Sequence, residues 1–110
     1  MPRRTNGRAT FRSMKSTRIE VSPQVAQFLR TLAPEPRRRL RAALRDLAAG
    51  RGEIIELENP LTGFHRLRVG RYRVIFHYAL AGKRRVIRCD FAERRELVYE
   101  LFGDLVQSLK

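Results

Sequence analysis

Apolar and polar residues alternate in one short segment near the start of the chain and in three segments of its second half. The first segment, TRIEV at residues 17–21, sets Ile19 and Val21 against Arg18 and Glu20, which is the period of a half-buried strand. The same pattern predicts three more strands in FHRLRV (64–69), YRVIFHYAL (72–80) and RRVIRCDFA (84–92). The sequence therefore predicts four strands, three of them close together in the second half.

Helical spacing of apolar residues predicts three helices. Ser22 is a suitable N-cap, and Pro23 a suitable first residue, for a helix that ends near the sequence APEP. Pro36 begins a second helix that Gly50 closes, so the two helices form a hairpin. The segment ERRELVYELF predicts a last helix that stops at Gly103.

Residues 51–63, RGEIIELENPLTG, are predicted to be a connector, because Asn59, Pro60 and Gly63 favour turns. The order β, α, α, β, β, β, α predicts an α+β domain. It has an N-terminal strand, a helical hairpin, an antiparallel sheet of three further strands and a C-terminal helix. A chain of 110 residues is long enough for a single domain, which we expect to span residues 17–110.

Residues 1–16 are basic and contain no acidic residue, so we expect a flexible N-terminal extension there. Met14 leads directly into the first strand pattern, which leaves open whether translation starts at Met1 or Met14. The segment has too few apolar residues for the core of a signal peptide. We therefore expect a cytoplasmic protein.

The charge of the chain limits the kinds of partner it binds. Its 24 Lys and Arg residues against 11 Asp and Glu residues give a formal net charge of +13, which favours a polyanion or an acidic partner. No apolar run approaches the roughly 18 residues that span a bilayer, so we expect no membrane association. The single Cys89 excludes an internal disulfide and is expected to be buried in a strand. No metal or other cofactor is expected.

The segment RLRVGRYRV, residues 66–74, places four arginines around a predicted two-residue type II′ turn at Gly70 and Arg71. This turn sets Arg68 directly opposite Arg73. Such like-charge pairs destabilise a sheet by about 0.2–1 kcal/mol, so the pair indicates a bound anion. The expected core face of the hairpin carries His65, Leu67, Val69, Tyr72, Val74, Phe76 and Tyr78. The expected polar face carries Arg66, Arg68, Arg73 and His77. In the next strand Arg88 and Asp90 are expected to join the polar face, and to alternate with Ile87, Cys89 and Phe91.

The order of elements, the block LTGFHRLRVGRYRVIF and the closing ERRELVYELF resemble the RelE/ParE superfamily of toxins from bacterial type II toxin–antitoxin systems, over about residues 17–102. The resemblance implies a toxin that an acidic antitoxin protein neutralises. RelE-like members cleave mRNA on the ribosome by attack of the RNA 2′-OH on the adjacent phosphate, without a metal. ParE-like members inhibit DNA gyrase and lack the nuclease residues. We expect the RelE-like activity; gyrase inhibition, or a degenerate protein that binds a partner or nucleic acid, is the alternative.

The resemblance and the charge pattern together give the candidate site residues. The candidates for catalysis are Arg66, Arg68, Arg73, Arg95, Tyr99 and His77. The further candidates for RNA binding are Arg71, Arg88 and Arg94. The arginines would stabilise charge on the phosphate oxygens, and Tyr99 would stack on a base or assist proton transfer.

The general base is the least certain role, because Arg is too basic to accept a proton readily. His77 is the best titratable candidate on the polar face, whereas His65 faces the core side and is expected to be structural. Some members of the superfamily use a Glu before the second strand, a position that Glu58 matches poorly.

Overall fold

The computed structural model describes residues 17–108, which form a five-stranded sheet with a helical hairpin on one face and a third helix on the other. The predicted extension at residues 1–16 lies outside the described residues. The elements are β1 (Arg18–Val21), α1 (Pro23–Thr31), α2 (Pro34–Ala48), β2 (Glu53–Glu56), β3 (His65–Val69), β4 (Tyr72–Ala81), β5 (Arg84–Arg94) and α3 (Val98–Ser108). The predicted α+β class is confirmed.

The strands lie in the order β1-β5-β4-β3-β2. The first strand pairs with β5 in parallel, and all other neighbours are antiparallel. The predicted hairpins β3–β4 and β4–β5 therefore form the centre of the sheet. The arrangement differs from the sequence-based expectation by one strand, β2, at the edge.

The prediction of a connector over residues 51–63 is wrong for Glu53–Glu56, which pair with β3 as β2. The segment EIIE has two adjacent apolar residues and no alternation, so its local pattern does not favour a strand. Pairing along β3 supplies its backbone partners instead, and Ile54 packs against the core beneath the helical hairpin. Tertiary contacts, and not local preference, produce this strand.

We name the side of the sheet that α1 and α2 cover the hairpin face. Its core contains Val25, Leu29, Leu40, Leu44, Leu47, Leu67, Val74, Phe76, Ile87, Cys89 and Ala92. Cys89 is buried, as predicted. Burial raises the pKa of its thiol to about 12, so the thiolate that would react is scarce at neutral pH. His65 stacks on Phe76 on this same face, with ring centroids 5.4 Å apart, which agrees with its predicted structural position.

The helical hairpin forms as predicted, with a start two residues earlier for α2. The Ser22 hydroxyl accepts a hydrogen bond from the Val25 backbone amide at 3.1 Å, which caps α1. At the other end of α1 the Arg37 guanidinium donates to the carbonyl oxygens of Leu29 at 3.1 Å and Leu32 at 2.7 Å. One member of the arginine run in α2 therefore satisfies the helix end that precedes it.

The opposite side of the sheet is named the α3 face, because α3 packs on it. Its core contains Ile75 and Phe91 from the sheet and Val98 and Phe102 from α3. The predicted stop at Gly103 is wrong, since α3 continues to Ser108. Gly103 does not have the positive φ that a C-terminal glycine cap adopts. Val106 packs against the same core, so an apolar contact beyond Gly103 favours continuation of the helix.

A β-bulge in β5 changes the predicted alternation of that strand. Ile75 pairs with Phe91 and its neighbour Phe76 pairs with Cys89, which leaves Asp90 as an extra residue. Phe91 therefore lies on the α3 face, and not on the same side as Cys89. The Asp90 carboxylate contacts His77 on the α3 face, so Asp90 does lie among the polar side chains, as expected.

Gly52 lies directly before β2, and Gly82 serves as its control in a comparison of two substitutions. Gly52 has a φ of +138°, and a Cβ on it would lie 2.6 Å from Leu67 Cδ1. Gly82, in the β4–β5 turn, has a φ of +65° but open space around a Cβ. We expect Gly82→Ala to lower the free energy of unfolding by about 1–2 kcal/mol through its backbone alone. Gly52→Ala should lose about 1–3 kcal/mol more because Leu67 must shift. Urea denaturation measures both, and equal losses would contradict the close approach to Leu67.

Candidate functional site

A row of four charged residues crosses the α3 face from one strand to the next. Glu93 on β5 pairs with Arg73 on β4, Arg73 pairs with Arg68 on β3, and Arg68 pairs with Glu53 on β2. Neighbouring strands are about 4.8 Å apart, so two guanidinium groups occupy the middle of the row and a carboxylate stands at each end. The predicted pairing of Arg68 with Arg73 on one face is confirmed.

The β3–β4 turn determines this register. Gly70 has a φ of +59°, and no residue other than glycine has a positive φ among the described residues. A type I′ turn requires positive φ at both central positions, whereas type II′ requires it at the first only. Gly70 followed by Arg71 therefore fits the predicted type II′ turn, and Val69 pairs with Tyr72 directly beyond it.

Arg73 is the most buried charged residue of the site, with 7% of its surface exposed. Its Nη1 donates hydrogen bonds to the carbonyl oxygens of Gly70 at 2.8 Å and Tyr72 at 2.9 Å. Burial, followed by the charges of Arg66 and Arg68, lowers the pKa of its guanidinium. An arginine keeps its charge at any working pH despite such a shift. Arg73 thus brings a poorly solvated positive charge to the α3 face, and also holds the turn.

The structure brings five of the predicted catalytic side chains together. Arg66, Arg68 and Arg95 are close enough to Arg73 for their charges to lower its pKa, and Tyr99 is close enough to act in the opposite direction. We name these five residues, with Arg73 at the centre, the arginine cluster. The backbone amide of Arg95 donates to the carbonyl of Arg71 at 2.8 Å, so the approach to α3 is tied to the turn.

The cluster holds hydrogen-bonding capacity that the described residues leave unused. The Nε of Arg66 is buried and has no hydrogen-bond partner within residues 17–108. Arg68 is half-exposed, and its Nη1 lies 3.8 Å from a Glu53 carboxylate oxygen, a distance at which an exposed ion pair contributes little. Buried polar groups normally have partners, so this surface is suited to an anion that accepts several N–H donors.

His77 lies outside the arginine cluster, which counts against its predicted role as general base there. Four residues of extended strand separate it from Arg73, a distance of about 13 Å, and Ile75 lies between them on the same face. The ring of Phe64 packs edge-on against His77 with centroids 5.7 Å apart. The imidazole Nδ1 lies 2.7 Å from an Asp90 carboxylate oxygen.

The three predicted RNA-binding arginines are divided among different surfaces. Arg88 lies opposite His77, and its Nε donates to a Glu20 carboxylate oxygen at 3.0 Å. Arg94 pairs with Tyr72 and therefore lies on the hairpin face, away from the cluster. Arg71 is exposed in the turn beside Arg95. Of the three, Arg71 alone borders the arginine cluster.

Sequence reasoning missed the two carboxylates of the charged row. Glu53 was placed in the connector, and Glu93 followed the predicted end of the last strand at residue 92. Both belong to the row because β2 pairs with β3 and β5 continues to Arg94. The Glu93 carboxylate accepts a hydrogen bond from the Arg94 amide at 3.0 Å. Extension of the last strand pattern by two residues would have placed Glu93 on the core face with Cys89, since only the bulge at Asp90 brings it to the α3 face; no local pattern indicated Glu53.

Within residues 17–108, no three His, Cys, Asp or Glu side chains are grouped so that they could hold a metal ion. None of the helices in that part of the chain is long and apolar enough to cross a membrane.

The His77–Asp90 pair predicts a pH dependence of stability. Burial raises the pKa of the Asp90 carboxyl above its usual value of 3.8, although the hydrogen bond from His77 and the charge of Arg88 oppose the shift. A raised pKa in the folded state means that the folded protein binds this proton more tightly. The stability that Asp90 contributes is therefore present below pH 3.8 and is lost as the pH rises through the folded pKa.

Asp90→Asn should match the parent near pH 3 and become the more stable of the two as the pH rises above 4. We expect a difference of at most about 1 kcal/mol, because the amide oxygen still accepts a hydrogen bond from His77. His77→Gln, which removes the opposing interaction, should enlarge the pH dependence that Asp90 causes. Urea denaturation at a series of pH values measures these differences. If the free energies of unfolding of Asp90→Asn and the parent differed by the same amount at every pH, Asp90 would have the same pKa in the folded and the unfolded protein, which would contradict the prediction.

Comparison with known proteins identifies the fold. No protein-family model matches the sequence, and neither does any curated protein. The structure is similar to an archaeal RelE–RelB complex from Pyrococcus horikoshii OT3, with 29% sequence identity, 73% of this chain and 96% of that chain covered, and a TM-score of 0.55.

Two further solved structures are similar at lower identity. A RelB–RelE antitoxin–toxin complex from Methanococcus jannaschii is 16% identical, with 76% of this chain and 98% of that chain covered and a TM-score of 0.56. The YoeB/ParE toxin from Agrobacterium tumefaciens is 14% identical, with 72% and 99% covered and a TM-score of 0.53. The chain has the fold of the RelE/ParE toxin superfamily, as its resemblance predicted.

Proposed function

We propose that this protein is the toxin of a toxin–antitoxin system and that it cleaves mRNA at the arginine cluster. The observation that carries the proposal is the concentration of three guanidinium groups and one tyrosine hydroxyl around the buried guanidinium of Arg73. A surface built only for solubility has no reason to hold Arg68 opposite Arg73. A phosphodiester supplies the negative charge and the acceptor oxygens that these donors lack.

The shape of the charged row favours a phosphate over a single carboxylate. Arg73 and Arg68 present adjacent guanidinium groups, and Arg66 lies one row further along β3. Phosphate oxygens accept hydrogen bonds in several directions, so two or three guanidinium groups can share one phosphate. The flanking carboxylates of Glu93 and Glu53 repel a phosphate from the ends of the row and direct it to the centre.

The cleavage chemistry is an attack of the RNA 2′-oxygen on the adjacent phosphorus. The bond from the 2′-oxygen to phosphorus forms, the bond from phosphorus to the 5′-oxygen breaks, and the products are a 2′,3′-cyclic phosphate and a 5′-hydroxyl. A base removes the 2′-OH proton, and an acid donates a proton to the departing 5′-oxygen. Arg68 and Arg73 stabilise the charge that grows on the phosphate oxygens, an effect worth about 3–4 kcal/mol for one donor.

The carboxylates of the charged row replace His77 as candidates for the general base. Glu93 and Glu53 share the α3 face with the arginines, whereas Ile75 separates His77 from them. An ionised carboxylate accepts a proton, which a guanidinium does not. Tyr99, a residue that is 40% exposed beside the cluster, is available to stack on a base next to the reacting phosphate.

An acidic antitoxin is the expected protein partner. Two of the similar structures are complexes of RelE with RelB, the latter named as an antitoxin in one of them. The formal net charge of +13 favours fast association with an acidic chain through electrostatic steering. A chain that covers the arginine cluster would block access of RNA to it.

Arg68→Gln tests the proposal more cleanly than a change at Arg73, because Arg73 also holds the turn through two hydrogen bonds. We expect Arg68→Gln to lower ribosome-dependent mRNA cleavage by about 100- to 1,000-fold, the usual effect of removing one transition-state donor. Its free energy of unfolding should stay within about 0.5 kcal/mol of the parent or rise. Primer extension on translated mRNA measures the cleavage.

Arg84→Gln is the matched control, since it removes the same charge from an exposed position at the far end of β5. It should cleave within about twofold of the parent, because it leaves the site intact. A DNA supercoiling assay with gyrase runs in parallel. If the parent inhibited gyrase and left mRNA intact, the ribonuclease proposal would be wrong and the ParE-like alternative right.

A further inference from the structure

A groove of about 360 Å³ lies between α3 and the turn that precedes β3. The residues that line it include Pro60, Leu61, Tyr99, Glu100, Gly103 and Asp104. Its walls are apolar and aromatic, and two carboxylates stand on the α3 side. Pockets of this size that combine apolar walls with a few polar groups are typical of small-ligand sites.

Tyr99 connects the groove to the arginine cluster. It lines the groove and is also close enough to Arg73 to influence the charge of that guanidinium. A nucleotide whose phosphate binds at the cluster therefore has its base within reach of the Tyr99 ring. Aromatic side chains stack on unpaired bases in single-stranded RNA recognition.

Gly103 leaves open space in the wall of the groove. It is the central residue of α3, and a Cβ on it would meet nothing within 4 Å apart from its own helix. Glycine lowers helix stability relative to alanine, and the backbone here has no positive φ that would require it. Its four-residue spacing from Tyr99 puts the gap one helical turn beyond the aromatic ring.

The carboxylates determine which part of a nucleotide enters. Glu100 and Asp104 are hydrogen-bond acceptors when ionised, so they repel a phosphate and attract N–H groups. Guanine presents N1–H and its 2-amino group side by side, a pattern that one carboxylate accepts with both oxygens. Adenine and cytosine each present one amino group. Uracil presents a single N–H between two carbonyl oxygens, which a carboxylate repels.

We propose that this groove binds the base next to the phosphate held by the arginine cluster, and that Glu100 and Asp104 select a base with exposed N–H donors, guanine first. The base stacks on Tyr99 and occupies the space that Gly103 leaves open. The inference rests on the proposed function, in that it assumes an RNA strand at the cluster. It adds a base preference that the arginines alone do not provide, because phosphate contacts carry no sequence information.

The test measures binding and not cleavage, so that it does not depend on turnover. Fluorescence anisotropy follows the purified full chain with four labelled 2′-O-methyl trinucleotides that differ only in the central base; the modification removes the nucleophilic hydroxyl. We expect the guanine probe to bind about 5- to 10-fold more tightly than the uracil probe, the lower end of what a bidentate base contact provides. The adenine and cytosine probes should fall between.

Three variants separate the groove from the cluster. Glu100→Ala combined with Asp104→Ala should reduce the guanine-to-uracil ratio to about 1, since it removes the selecting groups. Gly103→Leu should weaken binding of all four probes because its side chain fills the groove. Arg68→Gln should weaken all four by the same factor and preserve the ratio. Gly103→Ala is a fourth variant, which favours the helix and adds only one methyl group to the groove. The melting midpoint of each variant tests whether it is folded.

Several results would overturn the inference. Base selection in the groove would be excluded if the parent bound the guanine and uracil probes equally or preferred uracil. It would also be excluded if the Glu100 and Asp104 double variant kept the preference for guanine. Binding of tetra-arginine that the double variant loses, together with no base preference, would assign the groove to a basic partner instead. A base preference without mRNA cleavage would support the inference and refute the ribonuclease proposal. Cleavage without a base preference would support the ribonuclease proposal and refute the inference.

Discussion

The repulsion between Arg68 and Arg73 is the interaction on which the candidate site depends. Two guanidinium groups face each other across the β3–β4 hairpin, and the glycine turn leaves them no other register. The fold tolerates the pair because Arg73 binds the turn carbonyls and because Glu93 and Glu53 stand at the ends of the row. These contacts offset only part of the repulsion between the two guanidinium groups. A bound polyanion neutralises the remaining charge, so we regard the row as a binding surface and not as a support for the sheet.

The α3 helix divides its face of the sheet into two polar regions with different properties. On one side lies the arginine cluster, with positive charge that the described residues do not balance. On the other side, His77 contacts Asp90 and Arg88 contacts Glu20, so each of these side chains has a partner. The core of Ile75, Phe91 and the α3 residues separates them. Balanced charges are typical of structural networks, and this contrast favours the cluster as the functional region.

The sequence predicts the parts of this arrangement that repeat regularly, and it misses the parts that depend on distant contacts. Alternation in β3 and β4 and the two-residue turn were enough to place Arg68 opposite Arg73. The strand β2 escaped prediction because Ile54 and Ile55 are adjacent and the strand exists only through pairing with β3. The bulge at Asp90 and the course of α3 through Gly103 likewise depend on packing. The place of Glu53 in the row followed from β2, and that of Glu93 from the bulge. The distance of His77 from Arg73, in contrast, follows from the spacing of residues along β4 and could have been predicted.

The central claim is that the arginine cluster binds a phosphodiester. The most direct test is to measure the melting midpoint of the protein with and without a 2′-O-methyl dinucleotide, a ligand that carries a single phosphodiester. Ionic strength is held constant with chloride. A ligand at five times its Kd raises the free energy of unfolding by about 1 kcal/mol, which raises the midpoint by several degrees. The account predicts this rise for the parent and for Arg84→Gln, and its loss for Arg68→Gln. An equal rise in all three proteins, or none in the parent, would contradict it.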